Sequence, residues 1–313
     1  MHNKNILYFT KIFLAIFVIS FILDKITYFT LNKVSDSVYT GQGIGKLNHF
    51  LKIKDSKDLI VFGSSRANRH FEISELSANG YNIGMDGRKI AYPATLLKTL
   101  PKNKKQTIIF NVDIPYMLDP DYNGKDLDAL YTKYNRNEII RDNIDKYKQT
   151  NPFQKVFWCV GYNGYVVSIL YNFIFKKYDY TKYDGYDANK ISPSQQENLK
   201  KLIQKTPTEK CGKNLKVNKI TVQIFKDISE FCKANNKTLI FVASPLYLDD
   251  CKEDDVLVAN FMKENHYIYL DYTDFFKNNN SLTYWKDMRH LSGIGAHNFS
   301  KQLAIDLNQY LKK

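Results

Sequence analysis

The chain has 313 residues, 44% of them hydrophobic and 14% aromatic, which is enough apolar material for one sizeable core and too much for a disordered chain. Its formal charge of +13 would suit a nucleic-acid partner, but the lysines are scattered through every segment and form no basic stripe interleaved with aromatics, which argues against nucleic-acid binding. A basic surface facing anionic lipid headgroups or acidic glycans accounts for the same charge.

Residues 6–23 are almost wholly apolar, interrupted by Lys11 and flanked by Asp24, Lys25 and Tyr28. Extended to about residue 29, the run reaches the ~20 residues that a helix needs to cross a bilayer, with Lys11 able to snorkel toward the headgroups. It is apolar on all faces rather than along one stripe, which favours a span over a core or interfacial helix. No small-x-small cleavage site follows, so residues 1–31 are expected to stay as an uncleaved signal anchor. Lysines stand on both sides (Lys4 and Lys11, Lys25 and Lys33), so charge alone does not orient the span. Residues 32–55 read as a polar juxtamembrane linker, and residues 56–313 as an α/β domain.

Strand signals begin with the short apolar run 58–62, which ends in Gly63-Ser64-Ser65, the pattern of a buried parallel strand opening into a turn and helix. Further strands are expected at 81–84, 107–113, 237–243 and 267–271. Helices are expected at 90–100, 217–234, 256–264 and 295–311. This alternation predicts a doubly wound, mostly parallel five-stranded sheet covered on both faces, with its ligand site at the carboxyl ends of the strands. Residues 116–216 interrupt the rhythm. They read as a largely helical insertion that caps the site, and their tyrosines suit stacking against carbohydrate. Within them, the apolar segment 165–175 is too short for a second span.

Cys159, Cys211, Cys232 and Cys251 show no metal-binding spacing, so structural zinc is not expected. In an oxidising compartment two of them can pair, with connectivity open, and Cys232 fits the core face of its helix.

A serine becomes a nucleophile when a base takes its proton, a third group orients that base, and donors meet the oxyanion. Ser65 lies just past the first strand, where its hydroxyl can project from the sheet and its own N–H points into the same space. Asp287 and His290, three residues apart, allow a carboxylate to hold one ring nitrogen while the other faces Ser65. The competing readings are a helix-capping Ser65 and a surface pair Asp287/His290. Arg66 suits either an anionic substrate group or a buried carboxylate. Asp113 and Asp86 suit either the site or strand ends. His70 is a rival base more suited to packing, and His297, His266 and His2 are weaker candidates.

At these residues the chain resembles the SGNH, or GDSL-like, hydrolase superfamily. The family's Gly-Asp-Ser block is matched by Phe62-Gly63-Ser64-Ser65, which implies Ser65 as nucleophile. Its Asp-x-x-His block is matched by Asp287 to His290, followed by the expected closing helix. The second-block oxyanion glycine falls at Gly84. The third block, Gly-x-Asn-Asp, falls near Phe110-Asn111-Val112-Asp113, out of register, with Asn111 its only amide. The match covers about 58–115 and 237–311. The anchored form with Gly-Ser-Ser-Arg is similar to the cell-envelope branch, which includes alginate O-acetyltransferase-like and D-alanyl-lipoteichoic acid biosynthesis proteins.

The resemblance implies acyl transfer or ester hydrolysis through an acyl-Ser65, with His290 as base, Asp287 holding it, and Ser65, Gly84 and Asn111 as the oxyanion donors. The expected substrate is an envelope glycan or glycolipid, in the periplasm or at the cell surface, with a membrane-bound acyl-donor protein as a possible partner. Neither a metal nor an organic cofactor is required. The alternative is a non-catalytic assembly or glycan-binding protein that keeps the fold.

Overall fold

The computed structural model describes residues 2–206, 211–212 and 215–311. Its first helix, α1 (His2–Asp36), is long and apolar enough to cross a membrane, and the most apolar 18-residue window of it has no buried share. Residues 32–55, expected as a polar linker, are instead folded into the domain. After α1 come a π-helical turn (Gly41–Lys46) and α2 (Leu47–Ile53), whose Leu47 and Phe50 are fully buried. Apolar residues spaced three apart give this short segment a core-facing side.

The α/β core begins with β1 (Leu59–Phe62), α3 (Ser65–His70), α4 (Ile73–Leu76) and β2 (Gly80–Asn82). It continues with α5 (Ala91–Lys98) and β3 (Gln106–Val112). The insertion then supplies α6 (Ile114–Leu118), α7 (Glu138–Lys146), α8 (Pro152–Val156), α9 (Val166–Ile174) and α10 (Pro193–Lys205). The chain returns to the core through α11 (Lys219–Ala234), β4 (Lys237–Ala243), α12 (Lys252–Glu264), β5 (Ile268–Asp271) and α13 (Gly293–Leu311). Among the described residues the sheet has five strands, all parallel, in the order β2-β1-β3-β4-β5. The order reverses beside β1, so a crevice opens at the carboxyl ends of β1 and β3, where open α/β sheets hold their ligands.

Period-two alternation divides the strand side chains between two cores. Ile60, Phe62, Ile108, Phe110 and Phe241 face α2, α5 and α11, and Val61, Ile109, Ile240 and Val242 face α3 and α13. On the first face Phe225 stacks on Phe241 with ring centroids 4.7 Å apart and meets Phe110 edge-on at 5.7 Å. A smaller cluster of Tyr28, Val38, Ile44, Tyr162 and Ile169 joins α1 to the insertion.

Phe225 is fully buried between α11 and the sheet. Phe225→Ala is therefore expected to destabilise the chain by about 3–5 kcal/mol in chemical denaturation, through lost transfer energy plus an unfilled cavity. A loss under about 1 kcal/mol would contradict this packing.

Candidate active site

The turn after β1 forces Ser65 outward. Gly63 has φ +149°, and a side chain there would sit 2.8 Å from the Ala67 Cβ and 2.9 Å from the Asn111 Cβ, so only glycine makes this bend. Ser64 is the residue that caps α3: its Oγ accepts from the Arg66 N–H at 3.2 Å and donates to Asp113 Oδ2 at 3.1 Å. With the cap filled by Ser64, the Ser65 hydroxyl is left for another partner. That partner is His290, whose Nε2 lies 2.8 Å from Ser65 Oγ.

The loop carrying His290 is built as a tight turn. Trp285 and Leu291, both fully buried, form an isolated antiparallel bridge, and the Lys286 N–H donates to the His290 carbonyl at 2.8 Å. Inside the turn both Asp287 carboxylate oxygens lie 3.0 Å from His290 Nδ1. The same carboxylate accepts from the Arg289 N–H at 2.8 Å and the His290 N–H at 2.9 Å. Burial works against the Asp287 charge, but the His290 ring and these two amides outweigh it and hold the carboxyl below its ordinary range. A charged carboxylate on Nδ1 fixes the tautomer with the proton on Nδ1, so Nε2 presents a lone pair to the Ser65 O–H.

The remaining site candidates separate. The Gly84 N–H donates to Asn82 Oδ1 at 2.8 Å, so this residue does not serve as the expected oxyanion donor. A side chain at Gly84 would lie 2.4 Å from the Asn68 nitrogen, which makes it a close-packing residue between the β2 loop and α3. Arg66 and Asp113, each open to a substrate role or a structural one, are bound to each other. Arg66 is 2% exposed, its Nη1 lies 3.4 Å from Asp113 Oδ1, and its Nη2 donates to the carbonyls of Ser244 and Pro245. Of the two readings of Arg66, the buried carboxylate prevails. Asp86 accepts from Asn68 Nδ2 at 2.9 Å and pairs with Arg69, so it too is structural. Asn111 is 3% exposed beside Gly63, and both atoms of its amide lack a partner among the described residues.

Two buried residues support the site, and the first, Lys46, escaped sequence reasoning. Lys46, fully buried, donates to Asn68 Oδ1 and to the Gly84 carbonyl, each at 2.6 Å, and so ties the β2 loop to α3. Burial pushes its amine down to about 8. His70 has the packing role weighed for it, with a specific partner on each ring nitrogen. Its Nε2 accepts from the Leu291 N–H at 3.1 Å, which assigns its proton to Nδ1, 2.9 Å from Ser244 Oγ. The residue after His290 is thereby pinned to the helix that begins with Ser65.

Burial, with Arg66 and the His290 ring adding to it, pushes His70 well below its ordinary value of 6.5, so the folded ring stays neutral. The unfolded chain takes a proton here near 6.5 and the folded chain does not, so stability present above that pH is lost as the pH falls below it, by at most about 1.4 kcal/mol per pH unit. Measured against His70→Gln, which removes this proton, the stability advantage of the unsubstituted chain is expected to shrink from pH 7 to pH 5 by about 1 kcal/mol or more. A pH-independent difference would contradict a buried neutral ring.

No family model matches the chain and no curated protein matches it, so the functional reading rests on the arrangement of Ser65, His290 and Asp287 itself.

Proposed function

We propose that this chain is an SGNH-like serine enzyme of acyl transfer, an esterase or O-acyltransferase, held at a membrane by α1 and acting on an envelope glycan or glycolipid. The observation that carries the proposal is the 2.8 Å contact between Ser65 Oγ and His290 Nε2, with the Asp287 carboxylate on the opposite ring nitrogen. This is the geometry of an activated hydroxyl, reached from opposite ends of the chain.

In the proposed reaction Ser65 Oγ attacks the ester carbonyl while its proton passes to His290 Nε2, and the resulting imidazolium is stabilised by Asp287. Collapse of the tetrahedral adduct breaks the ester C–O bond, and His290 returns the proton to the departing alkoxide, leaving acyl-Ser65. Water or a sugar hydroxyl then attacks the acyl carbon, giving up its proton to His290, and the acyl–Oγ bond breaks as His290 returns that proton to Ser65 Oγ. With the Gly84 amide occupied, the Ser65 N–H and the unsatisfied Asn111 amide are the proposed oxyanion donors. An unpaired buried amide costs about 1–3 kcal/mol, a cost that a transition-state role explains.

The glycan reading is supported by a cavity of about 730 Å³ at the far end of α3, lined by Tyr178, Tyr180 and Tyr183 with Asp184 and Lys190, while Ser65, His290 and Asp287 do not line it. Aromatic faces beside polar and charged groups suit a sugar. The extracytoplasmic reading is supported by a disulfide between Cys211 and Cys251, whose Cα atoms lie 4.9 Å apart, because such bonds persist in oxidising compartments. One observation favours the non-catalytic alternative: the occupied Gly84 amide leaves one oxyanion donor fewer than the resemblance implies.

Full-length protein in detergent is expected to release p-nitrophenol from p-nitrophenyl acetate. Ser65→Ala and His290→Ala should each lower kcat/KM by about 1,000-fold or more, and Asp287→Asn by about 100-fold or more. Equal rates for Ser65→Ala and the unsubstituted chain would remove the catalytic assignment, and inactivity of both with retained glycan binding would favour the alternative. Protein isolated from the envelope should also resist alkylation at Cys211 and Cys251 until reduced. Modification of both without reductant would contradict the extracytoplasmic placement.

A further inference from the structure

The apolar run of α1 is bounded by polar residues on both sides, Asn3 to Asn5 before it and Asp24-Lys25 after it. At 1.5 Å per residue, the rise from Asn5 to Asp24 is about 29 Å, which matches the ~30 Å hydrocarbon layer, whereas the rise from Asn5 to Phe17 is only about 18 Å. A span therefore needs the stretch between Phe17 and Asp24, and that stretch is not alone. Phe157 meets Phe17 with ring centroids 5.9 Å apart. Lys25 Nζ donates to the Val156 carbonyl at 2.6 Å and lies 3.9 Å from the Trp158 ring, while Asp24 accepts from the Trp158 and Cys159 N–H groups, both at 2.9 Å. Further along, Tyr28 packs edge-on against Trp158 at 5.2 Å and shares a buried cluster with Ile169 of α9.

The segment 152–175 thus stands beside the half of α1 that reaches the bilayer surface, and its outer side is apolar. Phe153 of α8 is 68% exposed, and Val167 and Ile174 of α9 are 80% and 66% exposed. Leu170 and Phe175 are exposed as well. Apolar side chains left in water in this number mark an interaction surface. Lys155, Lys176 and Lys177 frame it, as basic residues frame a segment lying against anionic headgroups.

We propose that α8 and α9 are embedded in the leaflet that faces the domain, so that the bilayer grips the protein through α1 and the insertion together. The occupant is lipid because the exposed face adjoins α1 from Phe17, where Phe157 packs within the span, to Tyr28, where α9 packs just past its end. The inference rests on α1 spanning the membrane. It deepens the functional reading, because the embedded unit is tied to the catalytic helix. Thr40 Oγ1 donates to the Asn172 carbonyl at 2.7 Å, the Asp86 N–H donates to Gln42 Oε1 at 3.1 Å, and Lys46 donates to Asn68 of α3 at 2.6 Å. Ser65 is held at a fixed height above the bilayer, which selects acyl donors and acceptors tethered to the membrane.

The test is tryptophan quenching on the full-length chain in nanodiscs of phosphatidylglycerol and phosphatidylcholine, with and without bromine on the acyl chains. Phe13→Trp reports on α1, and Phe153→Trp and Ile174→Trp report on α8 and α9, each read against the unsubstituted chain, whose Trp158 and Trp285 supply the background. All three added signals are expected to fall about twofold or more in brominated discs and to resist aqueous acrylamide. Quenching of Phe13→Trp without quenching at 153 and 174 would leave the anchor standing and overturn the proposal. Quenching at none of the three would overturn both. Signals at 153 and 174 that resist both bromine and acrylamide would mean that a protein surface covers them, which also overturns it.

Discussion

A hydrogen bond 2.8 Å long joins Ser65 to His290 across 225 positions of the chain, and the rest of the architecture is arranged so that it can form. The parallel sheet delivers β1 to the rim where α3 begins. Gly63 bends the backbone there, Ser64 fills the helix cap, and Ser65 is left facing away from the sheet. From the other direction, fully buried Trp285 and Leu291 pin the ends of the turn that carries Asp287 and His290. The two halves are then locked by a second bond of the same reach, from the Leu291 N–H to His70 at the far end of α3. The placement of His290 beside Ser65 thus goes together with the burial of a neutral His70.

The buried charges beneath the rim serve the same end. Arg66 spans Asp113 at the end of β3 and two carbonyls just past β4, so one guanidinium ties two strand ends to α3. Lys46 does comparable work on the opposite side of α3, without a carboxylate in direct contact, by donating to an amide oxygen and a carbonyl. The helix that presents Ser65 is thereby held from two directions by cations buried from solvent.

Much of this was legible in the residues, and the reasons are specific. The strand at 237–243 matches its expected bounds because β-branched and apolar residues run unbroken between polar ends. The contact between Asp287 and His290 was legible because a tight turn lets a carboxylate reach an imidazole three residues on. Gly84 was misread because a glycine needed for close packing and one needed for an oxyanion hole look alike in sequence; only the Asn82 side chain on its amide separates them. Arg66 carried two readings until its burial was known. The region 32–55 concealed its packing because Lys46 is a polar letter with a core address, and its acceptors lie 22 and 38 residues away. The segment 165–175 was set aside as too short to span, a criterion that does not recognise helices lying beside a span.

The central claim is that Ser65 is a nucleophile activated by His290. A fluorophosphonate probe reads this directly, since it reacts with an activated serine and not with a helix-capping one. Peptide mapping of the labelled full-length protein is expected to find a single adduct, on Ser65, and to find none in His290→Ala that folds normally. A folded, unsubstituted protein that carries no adduct, or carries it elsewhere, would contradict the account.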